Sequence, residues 1–216
     1  MKRDTLIFDL DGTLLNTLKD IGDTMNEVLK KHGWPTYPES SYRFFVGEGS
    51  AKLIEKALPK NQLAQKEAIL AEYLEAYGQN WNRASHPYDG ILRMLADLRN
   101  EYTLCVLSNK PDAFTRQCVS HYFEVDLFNI VRGQLDGCPR KPDPQGLNEI
   151  FEKLGKSPSQ CIMIGDTKYD TLCAKHAGIP SVGVTWGFRP REELETNYAT
   201  TIIDHPSQLQ PALALL

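Results

Sequence analysis

Short runs of apolar residues recur along the chain, at Thr5–Phe8, Tyr102–Leu107, Asn129–Arg132, Cys161–Ile164, Ser181–Thr185 and Thr200–Ile203. Each has the length of a strand, and several are apolar at consecutive rather than alternating positions, the pattern of a strand covered on both faces. Segments patterned as helices lie between them. Gly90–Arg99 carries its apolar residues at helical spacing, and Asp143–Leu154 opens with an Asp suited to capping and a Pro suited to a first turn. Strands alternating with helices predict an α/β fold built on a doubly wound, Rossmann-like parallel sheet.

From about Thr17 to Asn82 the alternation stops. This stretch holds helical patterns at Leu18–Lys31, Gly49–Leu58 and Leu63–Gln79 and no convincing strand. The chain is expected to leave the sheet after its first strand, build a small helical domain over 17–82, and return near Pro87, so that 1–16 and 83–216 form one α/β domain. With 216 residues there is room for one full core and such an insertion, but not for two ordinary domains with linkers.

Composition changes this picture little. The 41% hydrophobic and 24% charged residues are those of an average globular protein and exclude collagen-like and wholly disordered readings. Basic residues number 24 against 28 acidic, so no global positive field exists to hold nucleic acid or an anionic membrane, and an anionic ligand needs a local site. No uncharged apolar run approaches the roughly 18 residues of a membrane helix. Asp4, Asp9 and Asp11 interrupt the apolar stretch that a signal peptide would need after Lys2 and Arg3. The five cysteines are odd in number and share no CxxC spacing. A reducing, cytoplasmic setting is expected, with a monomer or homodimer as the assembly. The histidines, at 32, 86, 121, 176 and 205, have no metal-ligand spacing.

Candidate chemistry gathers at strand ends. Phe8-Asp9-Leu10-Asp11-Gly12-Thr13-Leu14 directly follows the first apolar run. Two carboxylates two residues apart on an extended chain point the same way, and the carboxyl ends of strands in a doubly wound sheet face the ligand crevice. Gly12 permits a sharp turn with exposed N–H groups, and Thr13 adds a hydroxyl, so the pair suits a phosphate as well as an ordinary Asp-Gly turn. Ser108 and Asn109 close the second run with a hydroxyl and an amide, Arg140-Lys141-Pro142 sets a cation in a Pro-bracketed loop, and Asp166 and Asp170 follow the fourth run four residues apart. Taken singly, these fragments read equally as polar turns, a solvated lysine and a helix cap. Together they place four acids, a Ser/Asn pair and a Lys at the ends of neighbouring strands. Clustered carboxylates require a cation, and a hard divalent ion, Mg2+, suits oxygen ligands. A carboxylate nucleophile, a second carboxylic acid, a metal and phosphate-gripping groups specify phosphoryl transfer through an aspartyl phosphate.

With these four motifs, in this order across nearly the whole chain, the sequence resembles the haloacid dehalogenase superfamily. The resemblance implies Asp9 as nucleophile, Asp11 as general acid and base, Ser108 and Lys141 on the phosphoryl group, and Asp9, Asp166 and the Asp11 carbonyl around Mg2+, with Asp170 orienting the site. Asp rather than Tyr at position 11 favours phosphate chemistry over dehalogenation, since a halide leaves without a proton. The helical insertion resembles the cap that closes over such sites. Phe45-Val46-Gly47-Glu48-Gly49 and Val184-Thr185-Trp186-Gly187-Phe188 resemble segments of the phosphoglycolate phosphatases, which implies 2-phosphoglycolate as substrate. A leaving group with its own carboxylate calls for cations or N–H groups; Arg43, Lys52, Arg189 and the Gly47–Gly49 turn are the candidates, while Glu48 would repel it if turned inward. Pyrophosphate or a sugar phosphate remain alternatives. A mutase is disfavoured because Asn16 to Glu27 contains no His, and a non-catalytic phosphate-binding module has no need of four mutually repelling acids.

Overall fold

The structure, a computed structural model, describes residues 3–216. Its strands are β1 (Thr5–Phe8), β2 (Leu15–Asn16), β3 (His86–Pro87), β4 (Thr103–Pro111), β5 (Ile130–Gln134), β6 (Cys161–Gly165), β7 (Ser181–Val184) and β8 (Thr201–Ile203). The helices are α1 (Leu18–Lys31), α2 (Glu39–Phe45), α3 (Ser50–Ala57), α4 (Lys66–Asn80), α5 (Ile91–Leu98), α6 (Asp112–Tyr122), α7 (Gln145–Leu154), α8 (Lys168–His176), α9 (Arg191–Thr196) and α10 (Leu209–Leu213).

Six strands pair in the order β5-β4-β1-β6-β7-β8, every pairing parallel. This is the doubly wound α/β sheet that the apolar runs predict. Its consecutive apolar positions now have a reason. Leu6 and Phe8 pack with Leu104, Val106, Ile162 and Ile164 on one face, whereas Ile7 packs with Cys105, Leu107, Cys161 and Met163 on the other. Helices α7 and α8 cover the second face through Leu147, Ile150, Phe151, Cys173 and Ala174. All five cysteines are free; four of them are buried, behaving as small apolar side chains.

β1 sits at the centre because two neighbours cover its full length: Phe8 registers with Val106 of β4 and Ile164 of β6. The residue after it therefore emerges between the ends of both strands. After that exit the chain turns into β2, which pairs antiparallel with β3, Leu15 opposite Pro87 and Asn16 opposite His86. This two-residue ribbon joins the outgoing and returning chains of the helical segment α1–α4. The segment shares its apolar residues with the sheet: Met25, Leu29, Tyr42, Ile54 and Tyr73 belong to the same cluster as Phe8 and Leu14. Fully burying a side chain of this kind contributes about 1.5–3 kcal/mol.

Three elements differ from the sequence-based expectation. β4 runs on to Pro111, so Ser108, Asn109 and Lys110 lie within a strand rather than in a turn after Leu107; pairing with β5 continues to Pro111 opposite Gln134, past a register shift after Leu107. α2 was not anticipated, being seven residues with only Tyr42 buried, too short to show a period. α4 begins at Lys66 behind a 3-10 stretch over Lys60–Gln65. Asp143 does accept an N–H at the start of α7, from Gln145 at 2.9 Å.

Candidate active site

Asp9 is the first residue beyond β1, and its N–H is fixed by the Ile164 carbonyl at 2.8 Å. Its carboxylate is buried beside two others. Oxygens of Asp9, Asp166 and Asp170 lie within 4.8 Å of one another. Lys141 stands among them, its Nζ 2.8 Å from Asp9 Oδ1, 2.7 Å from Asp170 Oδ1 and 2.8 Å from the Leu107 carbonyl. The contact to Asp9 is poorly aligned for hydrogen bonding, and no other donor among the described residues reaches Asp9 Oδ1.

The remaining acids are braced in different ways. Asp166, fully buried, accepts from Thr13 Oγ1 at 3.0 Å and the Phe188 N–H at 2.8 Å. Asp170 caps α8 by taking the Thr167 N–H at 3.0 Å and Thr167 Oγ1 at 2.8 Å, and so aims its other oxygen at Lys141. Asp11 stands apart, at the mouth. It accepts from Thr17 Oγ1 at 2.8 Å and from Lys110 Nζ at 3.1 and 3.2 Å.

Electrostatics follow from burial. Loss of solvent, only partly offset by Lys141, pushes the Asp9 carboxyl up to about 7. Burial and then the charges of Asp9 and Asp170 carry Asp166 well above the usual carboxylate range. For Lys141, burial opposes its charge, but Asp170 and Asp9 outweigh it and raise the ammonium above its ordinary value. Three buried carboxylates thus share one ammonium, and a further cation is wanted.

Close approach shapes the floor of the site. Gly12 has φ +92, and a Cβ there would come within 2.4 Å of Asp166 Oδ2; a Cβ at Gly187 would lie 2.3 Å from the Gly12 carbonyl. Both positions exclude a side chain so that Asp166 can stand against the turn after β1. Trp186, half-buried, donates its Nε1 to the Thr13 carbonyl at 3.0 Å and holds the same turn.

The cleft is walled by β1 and β4 on one side, with Asp9, Asp11, Ser108, Asn109 and Lys110, and by the helical segment on the other. The opposite wall is largely apolar, built from Ile21, Val46, Leu53, Tyr73 and Tyr77. Free space between them is about 40 Å³, room for a few water molecules at most.

Most sequence-selected residues meet here, but not all. Ser108 lines the cleft, its hydroxyl accepting the Lys110 N–H at 3.2 Å. Asn109 is spent on positioning: its Oδ1 takes the Lys141 N–H at 2.9 Å, and its Nδ2 donates to the carbonyls of Lys141 at 3.0 Å and Gly47 at 2.9 Å. Gly47 lines the cleft with φ +113. Arg43 turns away and donates to the carbonyls of Phe188 at 3.1 Å and Gly187 at 2.9 Å. Lys52 faces solvent and Glu55, at 2.9 Å. Arg189 is buried against the helical segment, donating to the Val46 carbonyl at 2.9 Å and pairing with Glu193 at 3.3 Å. Glu48 pairs with Lys56 and does not line the cleft.

Lys110 and Tyr77 are the residues sequence reasoning passed over. Lys110 Nζ reaches the Tyr77 hydroxyl at 2.8 Å and lies 4.7 Å above its ring, while Tyr77 stacks on Tyr73 one turn away. The sequence signals were slight: a Lys directly after Ser108-Asn109, and two Tyr four apart on one helix face.

Comparison with known proteins places this geometry. The phosphoglycolate phosphatase of Mesorhizobium japonicum is 32% identical over 219 residues, covering 99% of this chain and 96% of its own, and that of Vibrio cholerae is 34% identical over 197 residues, covering 88% and 87%. A haloacid dehalogenase-like hydrolase of Streptococcus pneumoniae shares the fold, with a TM-score of 0.86 at 24% identity over 97% of each chain. The family model described as haloacid dehalogenase-like hydrolase matches residues 6–184, a span that takes in every strand end contributing to the cleft. On that match and those identities, the chain belongs to the haloacid dehalogenase-like hydrolases.

Proposed function

We propose that this phosphatase hydrolyses a small phosphomonoester, 2-phosphoglycolate foremost, by way of a phosphoryl group carried on Asp9, with Mg2+ as its metal. The observation that carries this reading is the buried trio of Asp9, Asp166 and Asp170 around one ammonium, Lys141 Nζ, 2.8 Å from Asp9 Oδ1 and 2.7 Å from Asp170 Oδ1. Curated relatives named phosphoglycolate phosphatase at 32% and 34% identity support the substrate.

The donor set fits the ion. All candidate ligands are oxygens, as a hard divalent cation requires, and the crowding that raises Asp9 and Asp166 is relieved by positive charge. Asp9, Asp166 and the Asp11 carbonyl would hold it, with Asp170 anchoring Lys141 beside them. When bound, the ion screens the nucleophile from the phosphate oxygens.

The chain's own groups supply the rest. Asp9 attacks phosphorus; the new Asp9–phosphorus bond forms as the bond to the ester oxygen breaks. Asp11 gives its proton to the leaving alkoxide, then accepts one from the water that attacks the phosphoryl group, releasing phosphate and regenerating Asp9. Lys141 and Ser108 hold the phosphoryl oxygens. Residues 17–82 act as the cap, whose apolar wall keeps other water out during the first transfer.

The test is phosphate release from 2-phosphoglycolate, pyrophosphate and a panel of sugar phosphates, with and without Mg2+, using Asp9→Asn as the blank. Asp9→Asn is expected to lose ~10⁴-fold or more in kcat while staying folded, and 2-phosphoglycolate to give the highest kcat/KM. Substantial activity in Asp9→Asn sinks the nucleophile; a better substrate elsewhere in the panel sinks the substrate.

A further inference from the structure

The cleft has one cation that the phosphoryl-transfer scheme above leaves without a role. Besides Lys141, which the scheme sets on the phosphoryl group, the cleft presents the ammonium of Lys110, which lines it directly. Its side chain is 4% exposed, a rare position for an ammonium, and the wall it faces is apolar. There, with little water to screen it, a positive charge acts strongly on any anion brought near.

We propose that Lys110 is the specificity-determining residue that receives a carboxylate on the leaving group, and that the substrates are phosphate esters of small 2-hydroxy acids. This deepens the phosphatase reading and rests on it. Three features carry it. First, the ammonium has a donor to give. Its contacts to the Asp11 oxygens, at 3.1 and 3.2 Å, are nearly equal and long, the pattern of one N–H shared between two acceptors, and a second N–H serves Tyr77 at 2.8 Å. An ammonium has three N–H groups, so one is left over.

Second, position sets the distance between charges. Asp11 serves the ester oxygen, and Lys110 touches Asp11. A group that reaches Lys110 therefore lies close to that oxygen, which fits a carboxylate on the carbon bearing the ester and not one farther along a chain. Third, the rival cations lie outside the cleft lining. Arg43 is held by the carbonyls of Gly187 and Phe188 and Lys52 by Glu55, while Arg189 is held by Val46 and Glu193 with its buried Nη1 unpartnered. Arg140 lies against the Gly49 turn, exposed and not among the residues that line the cleft.

The experiment compares kcat/KM for 2-phosphoglycolate with that for 2-hydroxyethyl phosphate, in which a neutral alcohol replaces the carboxylate, in the wild type, Lys110→Met and Arg140→Gln. Lys110→Met is expected to reduce the wild-type preference for 2-phosphoglycolate by about 10- to 100-fold, the range for a hydrogen bond to a charged group. Arg140→Gln should keep that preference within about threefold, well short of such a loss. Inhibition by inorganic phosphate, measured alongside, reports an intact phosphoryl site; where Lys110→Met loses it, Lys110→Gln decides on the same ratio. A preference unchanged in the Lys110 variant, or lost in Arg140→Gln instead, overturns the assignment while leaving the phosphoglycolate reading in place. A wild type that prefers the neutral ester overturns both.

Discussion

Lys141 Nζ stands 2.7 Å from Asp170 Oδ1, a pairing 3% and 1% exposed at the head of α8. Asp170 is itself fixed by the Thr167 N–H and hydroxyl, so the position of the ammonium beside Asp9 is set by a helix cap one step removed from the chemistry. Asp170→Asn keeps the size of the side chain but cuts the charge that steers Lys141. Activity is expected to fall by about 10- to 100-fold, as for other groups that orient a site without entering it. The required Mg2+ concentration should shift, since charge near Asp9 and Asp166 changes. Steady-state kinetics over a Mg2+ titration, with circular dichroism as the fold check, measures this; kinetics within twofold of the parent would make Asp170 a mere cap.

Asp11 is held by Thr17 and Lys110 at the mouth of the cleft, apart from the three carboxylates below it. Its proposed work is proton transfer to the leaving oxygen, and that need depends on the leaving group. Asp11→Asn should depress hydrolysis of an alkyl phosphate by ~10²–10⁴-fold. An activated aryl phosphate, which leaves as a stable phenolate, should lose far less. Equal losses on both substrates would show that Asp11 only shapes the turn after β1.

Much of this arrangement is legible before any coordinates. Apolar runs gave the strands because a doubly covered sheet leaves no polar alternation, and Asp9 and Asp166 converge because parallel strands end on the same side, with Ser108 joining them from within β4 and Lys141 from the loop after β5. Side-chain direction was the harder matter. Arg43 and Lys52 lie in the right segment, yet each finds a nearer partner, backbone carbonyls for one and Glu55 for the other. Lys110 reads in sequence as a polar end to a strand; only the extension of β4 to Pro111 and the approach of Tyr77, 33 residues away in the chain, bury it. Such pairings between distant segments leave no local periodicity to read.

The helices of the insertion are tied at their far end by charge. Glu72 on α4 receives Lys31 at 2.7 Å and His32 at 2.8 Å from the close of α1. Hydrogen bonds from Lys31 and then His32 hold the Glu72 carboxyl below its ordinary value near 4.5. A carboxyl depressed by folding adds stability above its unfolded value and loses it as pH falls through the folded one. Glu72→Gln should therefore cost under about 1 kcal/mol at pH 7, and that cost should be smaller at about pH 3 and shrink in high salt. Urea unfolding of both proteins at the two pH values measures it. A gap undiminished in acid would assign the effect to packing.

At the near end the insertion is anchored by one buried carboxylate. Asp20, on the first turn of α1 and 3% exposed, accepts the Ala84 N–H at 2.9 Å, the Ser85 N–H at 2.8 Å and the Ser85 hydroxyl at 2.7 Å. These donors sit just before β3, where the chain re-enters the sheet, so Asp20 joins the outgoing helix to the returning strand. Asp20→Ala strands two backbone N–H groups in a buried place, at a cost of about 2–4 kcal/mol. Asp20→Asn retains one acceptor oxygen and should lose roughly half of that. Because the joint governs how the helical wall meets Asp11 and Lys110, KM for the phosphoester should rise in Asp20→Asn even where the protein is fully folded. Thermal denaturation and steady-state kinetics on the two variants separate the effects. A stability loss below about 0.5 kcal/mol in Asp20→Ala, within the range of ordinary surface substitutions, would mean that water replaces the carboxylate and that the ribbon β2–β3 alone holds the two parts together.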